Sequence, residues 1–245
     1  MRIAELRPET MTEEQKAAHQ EIVSGPHGRV VGPFFAWLYS PELARRIRNL
    51  SEFIRFKTSL PPRLSELAIL IAGRFWRADF EFYAHARLGK QAGLDEAVID
   101  ALAENRRPKF KLEGERVVYD LIWELMHTQR VREAVYARAV QALGQQAVVE
   151  LVATAGYYSM VSLTLNCFQM PLPEGVPSPF RDGKPAKAKA VRAKAVAKAR
   201  PLAQRKGPAK RGAGKKAAAK KMPTPNRKAG AKGKAGGKRK GRARR

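Results

Sequence analysis

The sequence predicts an all-α protein carrying a cationic extension. Apolar residues recur at helical spacing from Met1 to about Phe168, and no stretch alternates strictly enough for a strand. Capping residues, prolines and glycines punctuate these runs where helices should start and stop. A first helix is expected after Thr12, with Glu13, Glu14 and Gln15 in its first turn, ending at Ser24 before Gly25-Pro26. The segment HGRVVGPFFAWLYS reads as a loop, and Ser40-Pro41-Glu42 then supplies an N-cap, a first-turn proline and an acid for a helix to about Phe56. Pro61-Pro62 opens the next helix, whose stripe of Leu64, Leu67, Ala68, Leu70 and Ile71 runs towards Trp76. Asp79 is placed to cap a helix that Gly93 closes in a left-handed turn. A short helix over 95–104 follows, then a polar loop, then helices near 113–128, 131–143 and 145–168, the last two parted by Gly144.

Charge divides the chain in two. Residues 181–245 hold 26 Lys and Arg and one acid, Asp182, whereas residues 1–180 hold 22 basic and 21 acidic residues. The body is long enough to bury a core. The tail has no aromatic residue and too little apolar surface to offset chain entropy, so it is expected to be disordered when free. The expected organisation is a helical domain over 1–170, a Pro-rich linker over 171–183 that leaves the domain as extended chain, and a basic tail over 184–245.

Other classes fall away on composition. One cysteine, Cys167, allows no intramolecular disulfide and no dithiol, which fits a reducing, cytoplasmic setting; it reads as a small core residue. The N-terminus lacks an apolar signal segment. The most apolar stretch, Ala147 to Phe168, includes Glu150 and several polar residues and reads as a buried helix, so no membrane partner is expected. His19, His27 and His127 read as surface or capping histidines, no metal-ligand spacing appears, and neither a metal nor a cofactor is expected.

Chemistry concentrates at Glu66, Glu81 and His85. Glu81 and His85 stand at i, i+4 on one predicted helix face, where a carboxylate would orient the imidazole and raise its pKa. The same spacing also fits a solvated surface pair. Phe80, Phe82 and Tyr83 surround the pair with aromatics, as a partly desolvated pocket would. Phe34, Trp37, Trp76 and Tyr83 are the expected pocket walls, with an ordinary core or subunit interface open as the other reading for Phe34, Phe35 and Trp37. Arg63, Arg74 and Arg77 are near in sequence and would suit an anionic substrate, but nothing selects one of them.

The run PPRLSELAILIAGRFWRADFEFYAHARLGKQAGLDEAVIDAL, with GPFFAWLYSPELARRI before it and ELVATAGYYSMVSLTLNCFQMPLP after it, resembles the carboxymuconolactone decarboxylase family, which includes the alkylhydroperoxidase D-like proteins. The family's peroxidase branch has a glutamate, two cysteines separated by two residues, and a histidine four positions beyond the second. Laid on this chain, the glutamate falls at Glu66 and the histidine at His85, while the cysteine positions fall on Ala78 and Glu81. Dithiol peroxidase chemistry is therefore not expected. The resemblance implies an all-helical fold, a homo-oligomer such as a trimer or hexamer, and decarboxylation or related proton transfer on a small lactone or carboxylic acid. His85 would act as general acid/base, Glu81 would orient it, and Glu66 would be a second acid/base or a hydrogen-bond partner.

The tail resembles the Lys/Ala/Pro-rich tails of linker histones and histone-like nucleoid proteins. It points to nonspecific, salt-sensitive binding of nucleic acid or another polyanion through residues such as Lys187, Lys189, Arg192, Lys194, Lys215, Lys216, Lys220, Lys221, Lys238, Arg239 and Lys240, and to a nucleoid association, with a charged solubilising tail that has no dedicated partner as the other reading. The other reading of the whole chain is an oligomeric nucleic-acid-binding scaffold without catalysis.

Overall fold

The computed structural model describes residues 1–181; the basic residues of the tail named above lie outside the described residues. Among the described residues the regular structure is helical, in nine helices: α1 Glu13–Ser24, α2 Phe34–Trp37, α3 Pro41–Phe56, α4 Pro62–Phe75, α5 Asp79–Gln91, α6 Glu96–Ala103, α7 Glu113–Thr128, α8 Glu133–Leu143 and α9 Gln145–Phe168. Thr12 and Gln15 form a reciprocal capping box that starts α1. Gly93 and Gly144, at φ 85° and 84°, take the left-handed conformations that end α5 and separate α8 from α9.

Helix α4 is the axis of the fold. Its residues from Glu66 to Arg74 are all buried because α5, α7 and α9 pack around it. Its Leu64, Leu67, Leu70 and Ile71 join α6, α7 and α8 in one apolar core, while its Ile69 and Ala72 join α1, α2, α3 and the distal half of α9 in another. Helix α9 is long and apolar enough to cross a membrane by length and composition, but more than half of that stretch is buried against its neighbours. Its Glu150 accepts from the backbone N–H and hydroxyl of Ser59 at 2.6 and 2.7 Å, which pins the loop before α4.

Four local expectations are corrected. The loop before α3 contains the single turn α2, too short for any periodicity to betray. Ser40 makes no side-chain capping bond. Asp79 is the first residue of α5 rather than its cap, Ala78 holding that place, and Asp79 instead accepts from the Ser178 hydroxyl. Cys167 is exposed at the end of α9, not in the core.

The segment after α9 does not simply leave the domain. Phe180 is buried against Phe82, ring centroids 5.1 Å apart, with the guanidinium groups of Arg74 and Arg77 over its face. The Arg181 N–H donates to the Ala103 carbonyl at 3.2 Å. Residues 171–181 thus form a strap anchored by one aromatic ring. Phe180→Ala is expected to cost about 3 kcal/mol of stability, as for other buried aromatics, and to open the strap to protease. Thermal unfolding and limited proteolysis check this; an unchanged melting temperature and cleavage pattern would contradict it.

Candidate active site

The turn from α4 to α5 sets the site. Arg77 adopts φ 49°, and the Ala78 N–H donates to the Gly73 carbonyl, a compact reversal that lays α5 back along α4. Gly73 faces the Glu81 side chain, and Gly89 faces Leu70 and the Cβ of Glu66, so the two helices approach closely. This brings Glu66 of α4 against Glu81 and His85 of α5, all three buried at 5%, 4% and 8% exposure.

His85 is gripped at both ring nitrogens. Its Nδ1 lies 2.6 Å from Glu66 Oε2, and its Nε2 lies 3.0 Å from Glu81 Oε1. The first contact is a well-formed hydrogen bond. The second is an ion contact off the N–H axis, since Glu81 Oε1 is buried without an aligned donor. Arg55 of α3 adds a second cation, donating from Nη1 to Glu66 Oε1 at 2.7 Å. The order Arg55, Glu66, His85, Glu81 alternates in charge, which is what lets four ionisable groups share a buried space. The ring of Tyr158 closes over His85 edge-on at 5.1 Å.

The electrostatic consequences follow from these contacts. Burial works against a charged imidazole, but Glu81 and Glu66 outweigh it and push His85 up to about 9. Burial would raise Glu66, yet His85 and Arg55 hold it below the usual carboxylate value. Burial pushes Tyr157 up to about 12 and Tyr158 well above its ordinary value, so both hydroxyls keep their protons. His27 moves the other way: burial lowers it, and the nearby Glu52 only partly opposes this.

Glu81 and His85 face a cavity of about 480 Å³, with Glu66 behind them. Phe34 and Tyr83 line this cavity. Trp37 and Trp76 do not: Trp37 stands behind Phe34 with its indole N–H on Thr164, and Trp76 packs edge-on against Phe75. None of Arg63, Arg74 and Arg77 lines it either; Arg63 pairs with Glu115 at 3.3 Å and the other two lie over Phe180. Arg55, Ser51, Tyr157 and Tyr158 line it and were not singled out from sequence, and His27, expected as a surface or capping histidine, lines it too, with its ring on the Ser51 hydroxyl. The i, i+4 spacing of Ser51 and Arg55 was the available signal. Among the described residues no group of three His, Cys, Asp or Glu side chains is arranged to hold a metal ion.

No protein-family model matches the sequence, and no curated protein does. Solved structures do resemble the chain. An uncharacterized peroxidase-related protein from Ralstonia eutropha JMP134, described as an alkylhydroperoxidase AhpD core, superposes with a TM-score of 0.59 at 12% identity, over 71% of this chain and 92% of its own. An uncharacterized peroxidase-related protein from Silicibacter sp. TM1040 gives 0.57 at 14% identity, over 70% and 90%. A protein of unknown function from Agrobacterium tumefaciens, named as a candidate antioxidant-defence AhpD, gives 0.51 at 16%, over 56% and 95%. The fold is AhpD-like. Within this AhpD-like fold the chain has no thiol beside its histidine: Ala78 and Glu81 stand there, and its one cysteine is at position 167 on α9.

The raised pKa of His85 makes a stability prediction. A histidine whose folded pKa exceeds its unfolded value of about 6.5 stabilises fully below that value and loses the contribution as pH rises through about 9. The melting-temperature advantage of the native protein over His85→Gln should therefore shrink steadily from about pH 6.5 to about pH 9. Parallel unfolding curves across that range check it; a constant difference would contradict it.

Proposed function

We propose that this protein is a thiol-independent proton-transfer enzyme acting on a small carboxylated lactone or keto acid, with a basic tail that holds it to nucleic acid. One observation carries the reading: His85, gripped at both ring nitrogens by two buried carboxylates, stands at the wall of a cavity sized for a small molecule. Glu66 fixes the ring through Nδ1, and Nε2 carries the proton available to a substrate. Glu81, on the same wall, is the carboxylate that can take a proton or return one. In a decarboxylation the bond to the carboxylate breaks and carbon dioxide leaves. The electron pair enters the neighbouring carbonyl as an enolate, and the enolate carbon takes the His85 Nε2 proton; solvent, through Glu81, restores it.

The tail supports the second part of the reading. Its 25 basic residues over 184–245, with no acid among them, suit counterion release from phosphates, without aromatics for base stacking. Exposed Leu43, Leu50, Phe53 and Phe56 on α3 suit assembly of further copies of the chain in the cytoplasm. The test is to incubate the full chain in deuterated water with a panel of carboxylated lactones and β-keto acids. Release of carbon dioxide, with deuterium at the carbon that lost the carboxylate, is expected. If no substrate loses carbon dioxide or exchanges, and the chain only retards duplex DNA in a salt-dependent manner, the body is instead an oligomeric scaffold.

A further inference from the structure

A second polar group lines the same cavity, away from the proton-transfer residues in sequence. Ser51, only 3% exposed, sits one helical turn before Arg55 on α3, so the two share a face. The Ser51 hydroxyl lies 3.0 Å from His27 Nε2. The His27 ring is held by Phe34 and Phe56, each 5.6 Å away, and Tyr157 of α9 stands beside Ser51. Of the five N–H donors of a guanidinium, Arg55 commits Nη1 to Glu66 and another to the Tyr158 hydroxyl, which leaves the remainder for a ligand. Three elements that are distant in sequence therefore bring a hydroxyl, an imidazole, a phenol and a cation to one wall.

We propose that Ser51, His27 and Arg55 form an anchoring subsite that holds the carboxylate of a small ligand. The proposal rests on the proton-transfer reading for what happens to the bound acid, but not for the binding itself. The donor set selects a monoanion. One buried cation, already shared with Glu66, falls short of what a phosphate dianion needs, whereas a carboxylate is matched by a guanidinium edge and a hydroxyl. Exposed Arg29 and Arg87, also in the lining, draw an anion inward, and Phe34, Phe56, Phe80 and Tyr83 offer flat walls to a ring. The arrangement requires His27 in its Nε2–H tautomer: the ring then donates to the Ser51 oxygen, and the Ser51 hydroxyl turns its own proton from the Tyr157 oxygen to the ligand.

The test uses the full chain with benzoate and its neutral isostere benzamide, followed by calorimetry. Benzoate is expected to bind about tenfold or more tightly than benzamide, since a charge-assisted hydrogen bond is roughly twice as strong as a neutral one. Ser51→Ala and His27→Gln should each weaken benzoate by about fivefold or more and leave benzamide nearly unchanged. Nitrogen-15 spectra of the free protein should show His27 protonated at Nε2. The subsite is overturned if benzoate does not bind, if benzamide binds equally, if both variants bind benzoate as the native chain does, or if His27 carries its proton on Nδ1. Binding that obeys these expectations in a chain that turns over nothing overturns the proton-transfer reading and leaves the subsite standing. Turnover by a chain indifferent to benzoate does the reverse.

Discussion

His85→Gln is expected to lower turnover by about 10²–10⁴-fold while leaving the helical content and the affinity for substrate nearly unchanged. Glutamine preserves a polar group of similar reach but cannot carry the proton that Nε2 holds beside Glu81 at 3.0 Å. The loss should fall on kcat rather than KM, because the proton moves only as the carbanion forms. Glu81→Gln, which keeps the shape and removes the charge, should lower the rate as well, since Glu81 is the carboxylate on the cavity wall. Steady-state kinetics with circular dichroism on both variants check this. Full activity in His85→Gln would remove His85 from the chemistry.

Glu66→Ala should produce the largest loss of stability among single substitutions at the site. Its carboxylate separates two cations, Arg55 at 2.7 Å and His85 at 2.6 Å, and is itself only 5% exposed. Removing one member of a buried pair leaves uncompensated charge, at a cost of about 3–5 kcal/mol. For a body of this size that corresponds to a melting temperature lower by roughly 6–20 °C. Glu42→Ala is the control: its pair with Arg46 is 2.6 Å long but lies in solvent, so screening leaves it worth little. Thermal unfolding of the two variants checks the contrast, and equal shifts would contradict it.

The fold was legible where local chemistry fixes it. Thr12 with Gln15, Pro41, and Gly144 act within a few residues of themselves, and the bounds of α1, α3, α7 and α9 follow the spacing that the sequence shows. The reversal at Arg77 was not legible, because a left-handed turn without glycine has no compositional mark. The strap misled for the opposite reason: four prolines announce extended chain, while one aromatic ring, Phe180, decides where that chain rests. At the site, the i, i+4 spacing exposed Glu81 and His85 as neighbours. Spacing alone made Glu81 the residue that orients His85, whereas the structure gives the aligned hydrogen bond to Glu66, across the α4–α5 packing. Arg55, Ser51, His27 and Tyr158 come from α3, α9 and the loop before α2, and only tertiary packing joins them to the cavity. Cys167 shows the same limit, since an apolar helix end can face outward.

The charged state of His85 is the point on which the proton-transfer reading turns, and a nitrogen-15 and proton NMR pH titration of the full chain measures it directly. With His85→Gln to assign the resonance, His85 should remain doubly protonated through neutral pH and titrate near 9. Titration at or below the ordinary value of about 6.5 would mean that Glu66 and Glu81 do not hold an imidazolium, and the proposed acid would be absent.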